Sequence, residues 1–161
     1  MSTRGDEFEQ AALPHTRGLL RFAHRMTHDV SAAEDLVQET LLLAWRGFGR
    51  FQPGSNARAW LFRILINCFN QQGRKTRTLV DLTPETRSAS DSKIEFFEVT
   101  RALDRLSEEH RSVLLLAAVE GFTCREIAEI TSVPIGTVMS RLSRAREAMR
   151  TYLSPLEKVT R

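Results

Sequence analysis

Thr123-Cys-Arg-Glu-Ile-Ala-Glu-Ile-Thr-Ser-Val-Pro-Ile-Gly-Thr-Val-Met-Ser-Arg-Leu-Ser-Arg-Ala-Arg-Glu-Ala-Met-Arg150 is the stretch on which the fold turns. Thr123 and Glu126 have the spacing of a capping box, in which each side chain satisfies an N–H at the start of a helix. Ile127, Ala128 and Ile130 follow, and the small Ala128 lets a second helix cross closely. Ser132-Val-Pro134 interrupts the pattern, and Pro134 suits the first turn of a new helix. Val138, Leu142, Ala145 and Met149 then recur at i, i+4, i+7 and i+11, one apolar helix face. Met139, Ser140, Ser143, Arg144 and Glu147 fall on the other side, with Arg141, Arg146 and Arg150 at the flanks. Two short helices across a tight turn, the second polar and arginine-rich outside, predict a helix-turn-helix that reads duplex DNA. A packing element without a ligand is the competing reading, and the arginine face weighs against it. Arginine grips guanine edges with two bonds, and Ser or Thr reaches bases or phosphates.

Upstream, Ser107-Glu-Glu predicts a helix start, and the run Val113 to Val119 is apolar all round, as in a buried helix. Ile94, Phe97, Val99, Leu103 and Leu106 keep helical spacing before it. Residues 74 to 92 lose all periodicity and are rich in Ser and Thr, the composition of a linker. The N-terminal half reads as three helices. The first spans about Phe8 to Met26, with a start or bend at Pro14. The second opens on a predicted capping box, Ser31 with Glu34, and runs to Phe48 with Val37, Leu41, Ala44 and Phe48 on its core face. Phe51-Gln-Pro-Gly-Ser-Asn56 is turn chemistry. The third runs from Ala57 to Gln72, N-capped by Asn56, with Leu61, Ile64, Leu65 and Cys68 inward. No repeat or strand signal stands out. The fold class is therefore all-α: two small helical domains, residues 1–73 and 94–161, joined by a flexible linker at 74–93, with the helix-turn-helix in the second.

Composition narrows the function. The chain has 161 residues, 42% hydrophobic and 27% charged, enough to build a core. The longest apolar run is far shorter than a membrane span, so no stable membrane insertion is expected. The start, Met1-Ser-Thr-Arg-Gly-Asp-Glu, does not resemble a secretory signal. Cys68 and Cys124 lie far apart, which argues against a disulfide scaffold or zinc ribbon and fits the cytoplasm. His24 and His28 at i, i+4 lack a third ligand, so no metal is expected. Net charge is only +3, yet Arg46 to Arg77 holds seven basic residues and no acid, and Arg141 to Arg150 holds four arginines and one acid. Two basic surfaces on a nearly neutral chain suggest two contacts with a polyanion. No phosphate loop, nucleophile triad or carboxylate pair is evident, so neither a small-molecule substrate, a cofactor nor an enzymatic activity is expected.

Two faces of the N-terminal half differ in chemistry. Asp35, Gln38, Glu39, Leu42 and Arg46 form one stripe of the second helix, acidic where it begins. DNA would repel that end, whereas a basic protein surface would fit it. The third helix is basic and crowded with Phe51, Trp60, Phe62 and Phe69; some of these must be core, but aromatics among arginines also suit a captured single-stranded base.

Three motifs, Asp35-Leu-Val-Gln-Glu-Thr-Leu-Leu-Leu-Ala-Trp45, Phe51-Gln-Pro-Gly-Ser-Asn-Ala-Arg-Ala-Trp-Leu-Phe-Arg-Ile-Leu-Ile-Asn67 and Ile135-Gly-Thr-Val-Met-Ser-Arg-Leu-Ser-Arg-Ala-Arg146, together resemble the extracytoplasmic-function (ECF) sigma factors, the smallest members of the bacterial sigma-70 family. The resemblance covers about residues 8 to 153. It implies a region-2 domain to residue 73 and a region-4 domain from residue 94. It further implies that Asp35, Gln38, Glu39 and Leu42 dock on the β′ subunit of core RNA polymerase, with the β subunit as a further contact. Phe51, Ser55, Asn56, Arg58, Trp60, Arg63 and Asn67 would capture the −10 element of promoter DNA. Thr137, Met139, Ser140, Arg141, Ser143, Arg144 and Arg146 would read the −35 element, although Met139 stands where the family often has Arg or Lys. An anti-sigma factor is the implied regulator, holding the protein near the membrane in some members. An autonomous helix-turn-helix regulator would need neither the acidic stripe nor the basic aromatic helix. A sigma-mimicking adaptor would show a receiver domain and eroded DNA-facing residues, and an RNA-processing enzyme would need a catalytic set.

Overall fold

The computed structural model describes residues 3–76 and 92–157. In chain order its helices are α1 (Arg4–Ala12), α2 (Thr16–Thr27), α3 (Val30–Gly47), α4 (Ala57–Thr76), α5 (Ser92–Asp104), α6 (Glu108–Ala118), α7 (Cys124–Thr131) and α8 (Ile135–Glu157). Among the described residues there is no strand, and no helix is long and apolar enough to cross a membrane. The residues divide into two compact units, one built on α1 to α4 and one on α5, α6, the start of α7 and α8.

In the first unit α3 packs against α2 and α4, and α1 against α4. Leu19, Phe22, Ala23 and Met26 of α2 are buried, as are Ala33, Leu36, Val37 and Ala44 of α3 and Leu61, Phe62, Leu65, Ile66 and Cys68 of α4. Phe22 and Phe62 meet edge to face at 5.6 Å. The α3 core row differs from the expected one. Leu36 and Thr40 are buried, while Leu41 and Phe48 are only half-buried. Thr40 escapes a hydrophobic count because its hydroxyl donates to the Leu36 carbonyl at 2.7 Å, so nothing polar is left unpaired.

The expected first helix is two helices. Leu13–His15 forms a 3₁₀ turn around Pro14, which lacks the N–H that would continue α1. The expected capping box at Ser31 and Glu34 is also corrected. His28 ends α2 in the left-handed conformation, φ 58°, and Asp29 is extended and accepts from the Ala32 N–H at 2.7 Å. Asp29 is therefore the N-cap, which places Ser31 inside the first turn. Asn56 does cap α4, through its Oδ1 and the Ala59 N–H at 3.0 Å. Helix α4 continues past the end of its apolar pattern to Thr76, and α5 begins at Ser92. Gln, Arg and Lys are good helix formers and need no core to extend an existing helix. Both ends of the expected linker are thus helical, and the rest, 77–91, lies outside the described residues.

In the second unit α8 packs on α5 and α6. Ser107 caps α6 by accepting from the His110 N–H at 3.2 Å. Val113 to Leu116 are buried, but Ala118 at the end of α6 is exposed and Val119 just beyond it is 40% exposed, so the run Val113 to Val119 is not buried all round. Gly121, φ 72°, turns the chain back so that Phe122 is buried. The sequence reading missed Arg111. Its guanidinium is buried and donates to the carbonyls of Leu103 at 3.1 Å, Leu106 at 3.2 Å and Asp104 at 3.5 Å. Leu103 and Asp104 end α5 and Leu106 lies just beyond it. The Leu103 carbonyl also takes the Leu106 N–H at 3.0 Å, so the guanidinium supplements the carbonyl partners that a helix end lacks. Burial disfavours the guanidinium charge, while Asp104 and Glu108 offset that cost.

Arg111→Ala is expected to remove about 2–4 kcal/mol from the second unit, the range for breaking a buried charged network. Both Trp residues, Trp45 and Trp60, lie in the first unit. In urea the far-UV circular-dichroism transition should therefore move while Trp fluorescence stays. A loss below about 1 kcal/mol would mean that water replaces the guanidinium without cost.

Candidate nucleic-acid interface

On α3, burial of the 33–36–37–40–44 row turns Asp35, Gln38, Glu39 and Leu42 to solvent, and all four are exposed. Leu42 is 49% exposed, and beside it Leu43 and Trp45 are also open. The sequence reading noted one such leucine; the other two lay hidden in the run Leu41-Leu-Leu-Ala-Trp45. Glu39 is not free: it accepts from Nε2 of Gln72, on α4, at 3.0 Å. The acidic stripe is thereby tied to the far end of the basic helix.

The segment 51–56 is a tight turn closed by its own side chains. Gly54 takes φ 85°, and Ser55 donates to the Gln52 carbonyl through both its N–H, at 3.1 Å, and its hydroxyl, at 2.7 Å. Ser55 and the Asn56 cap therefore shape the turn. Phe51 and Trp60 meet at 4.8 Å, and Phe51 stacks on Phe48 at 5.5 Å with an interplanar angle of 12°. Phe8 of α1 closes the cluster edge-on against Trp45 and Phe48, each at 5.3 Å. Arg4 lies 5.0 Å over the Trp45 ring and donates to its carbonyl. Phe62 and Phe69 are buried, so the aromatic wall left at the surface is Phe51 with Trp60, both half-buried. Arg58 sits 5.5 Å over the Phe62 ring. Arg63 and Asn67 are exposed, and Asn70 and Arg74 extend their stripe by two more helical steps. The sequence reading stopped at Asn67 because it followed the family motif; i, i+4, i+7, i+11 spacing alone would have found the other two.

Around α8 the helix-turn-helix forms from the expected parts. The Thr123 N–H donates to Glu126 Oε2 at 2.7 Å, and the Glu126 N–H donates to Thr123 Oγ1 at 3.2 Å. Ser132 turns left-handed, φ 56°, and the Val133 N–H returns to the Ala128 carbonyl at 3.2 Å. Pro134 precedes α8, and its carbonyl takes the Thr137 and Val138 N–H groups at 2.9 and 3.1 Å. Val138, Leu142 and Ala145 are buried; Met149 is half-buried. Met139, Ser140, Ser143, Arg144 and Arg146 are exposed, and Thr137 is half-buried. Arg141 differs from the other arginines, because its Nη2 pairs with Glu109 Oε2 of α6 at 3.1 Å. Before it can hold a phosphate it must share or leave that carboxylate.

Among the described residues, no three His, Cys, Asp or Glu side chains converge on a possible metal position. Burial, reinforced by Glu39, pushes the Cys68 thiol up, which disfavours its thiolate.

Comparison with known proteins gives one family across both units. Residues 13–78 match the model for Sigma-70 region 2, and residues 96–149 the model for Sigma-70, region 4. The chain is 38% identical over 150 residues to the ECF RNA polymerase sigma factor EcfG of Rhodopseudomonas palustris, covering 89% of this chain and 81% of that protein. Among solved structures it is similar to the sigma factor RpoE of Bartonella quintana in complex with the anti-sigma factor NepR, with TM-score 0.80, 34% identity and coverage of 92% and 97%. It is also similar to CnrH in complex with the cytosolic domain of CnrY, with TM-score 0.72, 28% identity and coverage of 92% and 88%.

The cap at Asn56 has a measurable consequence. Asn56→Ala is expected to cost the first unit about 1 kcal/mol, read as a lower urea midpoint by Trp fluorescence. Asn56→Asp, which keeps a capping oxygen, should stay within a few tenths of that value's wild-type reference. An unchanged midpoint in Asn56→Ala would remove the cap from the account of this turn.

Proposed function

We propose, for a chain that belongs to the ECF group of the sigma-70 family, a division of labour among three helix faces. The protein is a sigma factor: it joins core RNA polymerase and directs promoter-specific initiation of transcription. In our reading the exposed face of α3, with Asp35, Gln38, Glu39 and Leu42, docks on a basic surface of the polymerase. The turn 51–56 and the stripe Arg63, Asn67, Asn70 and Arg74 of α4 take the −10 element. Asn67 offers a base edge both a donor and an acceptor, and the arginines neutralise phosphates. The outer face of α8 reads the −35 duplex, with Arg144 on a base edge and Arg146 on the backbone. Residues 1–73 form the first working unit and 94–161 the second. Catalysis belongs to the polymerase, and the protein works in the cytoplasm. An anti-sigma factor holds it inactive; that the similar RpoE was solved in complex with the anti-sigma factor NepR supports this.

The observation that carries the reading is the exposed, basic and hydrogen-bonding face left on α8 once Val138, Leu142 and Ala145 are buried. Of Met139, Ser140, Ser143 and Arg144, which are exposed in the N-terminal half of α8, Arg144 alone can form a bidentate bond to guanine, worth about 1–3 kcal/mol of discrimination. With holoenzyme and a panel of single-base −35 variants, Arg144→Ala should relax preference at one or two positions. A common loss across the panel would make Arg144 a phosphate anchor.

For the polymerase face, the double variant Asp35→Lys with Glu39→Lys should abolish association with core enzyme while leaving the helical circular-dichroism signal in place. Both carboxylates are exposed, and the Gln72–Glu39 bond that the reversal breaks lies at the surface, so the change costs little folding energy. Undiminished core binding would remove the stripe from the docking surface.

A further inference from the structure

Met139 is the most exposed large apolar side chain of the second unit, 57% open, and Ile135 one turn before it is 47% open. Neither position is needed by the core, which α8 builds from Val138, Leu142 and Ala145. Ser140 and Ser143 are exposed next to Met139, and Arg144, Arg146 and Arg150 are exposed along the same helix. An apolar group in such surroundings gains nothing from a phosphate backbone. The arginines around it draw a polyanion to this face. Within the major groove of DNA the one apolar group on offer is the C5 methyl of thymine. Met139 also lies in the second turn of α8, within the N-terminal part by which a recognition helix enters the groove. Its side chain is unbranched and flexible, so it can follow a methyl group that a rigid side chain would miss.

We infer that Met139 is a specificity-determining residue that recognises the C5 methyl of one −35 thymine, with Ile135 as the apolar shoulder beside it. The inference rests on the assignment of α8 to the −35 duplex and adds the base and the atom that this face selects.

The test uses holoenzyme formed from the full chain and core polymerase, on a duplex promoter that it transcribes. Each thymine of the −35 element, in either strand, is replaced in turn by deoxyuridine, which lacks only the methyl. The wild type should lose about fourfold in open-complex formation at one such position, the factor that burying one methyl-sized group supplies. Met139→Ala should lose about fourfold on the unmodified promoter and nothing more when that same thymine is replaced. Met139→Leu should keep the sensitivity to deoxyuridine. The inference is overturned if no replacement affects the wild type, if Met139→Ala keeps the same sensitivity, or if Met139→Ala weakens every template by one common factor, as a protein contact would. Arg144→Ala on the single-base panel separates the two levels. Position-specific change there without any methyl effect removes only the role of Met139. No position-specific change in either experiment removes α8 from the −35 element altogether.

Discussion

A short helix cannot pay for its own ends, and that constraint shapes both units. Each helix leaves N–H groups at its start and carbonyls at its finish that must find partners. The starts of α1, α3, α4, α6 and α7 are met by Thr3, Asp29, Asn56, Ser107 and the Thr123–Glu126 pair, each from a polar side chain at the joint. The close of α5 is met by the guanidinium of Arg111 reaching back from α6. Because the joints are satisfied locally, the connections can be short. The corner from α2 to α3 takes two residues, His28 and Asp29, and the turn from α7 to α8 takes Ser132, Val133 and Pro134. Short connections fix the direction of each helix, and with it the side that faces away from the core.

Function is carried by what those directions leave outside. Burying Ala33, Leu36, Val37, Thr40 and Ala44 presents the acidic stripe of α3 as a continuous surface. Burying Leu61, Phe62, Leu65, Ile66, Cys68 and Phe69 leaves Arg63, Asn67, Asn70 and Arg74 as the open edge of α4. The bond between Glu39 and Gln72 joins these two surfaces within one unit. In the other unit the pair Arg141–Glu109 plays a comparable part, holding one arginine of α8 against α6 while Arg144 and Arg146 stand free of the core. Charge is thus sorted by helix face, which explains how a nearly neutral chain presents both an acidic and a basic surface.

Where the two kinds of reading parted, a short-range signal had a rival close by. Ser31-Ala-Ala-Glu34 has the spacing of a capping box, but Asp29 is an equally good cap and lies directly after the left-handed turn at His28. Leu36 was passed over in favour of Leu41 because both fit a helical period, and the neighbours α2 and α4 decide which row is covered. The aromatics of the basic helix looked alike in sequence. Packing against Phe22 drew Phe62 inside, while Phe51 and Trp60 pack on Phe48 and stay half-buried.

The all-helical class, the helix-turn-helix with its capping box, the Asn56 cap, the core positions Val138, Leu142 and Ala145 of α8 and the family resemblance were all legible in the linear chain. The helical features rest on periodicity and on bonds between residues at most four apart, which a linear pattern records, whereas the family rests on the resemblance of three ordered motifs. Helix packing was needed to bury Arg111, to bond Glu39 to Gln72 and to pair Arg141 with Glu109. The last two join residues 33 and 32 positions apart along the chain. The Arg111 contacts are closer in sequence but depend on α6 folding back against the end of α5. A linear pattern cannot record such pairings, because a polar side chain carries no mark of its partner until packing brings two helices side by side.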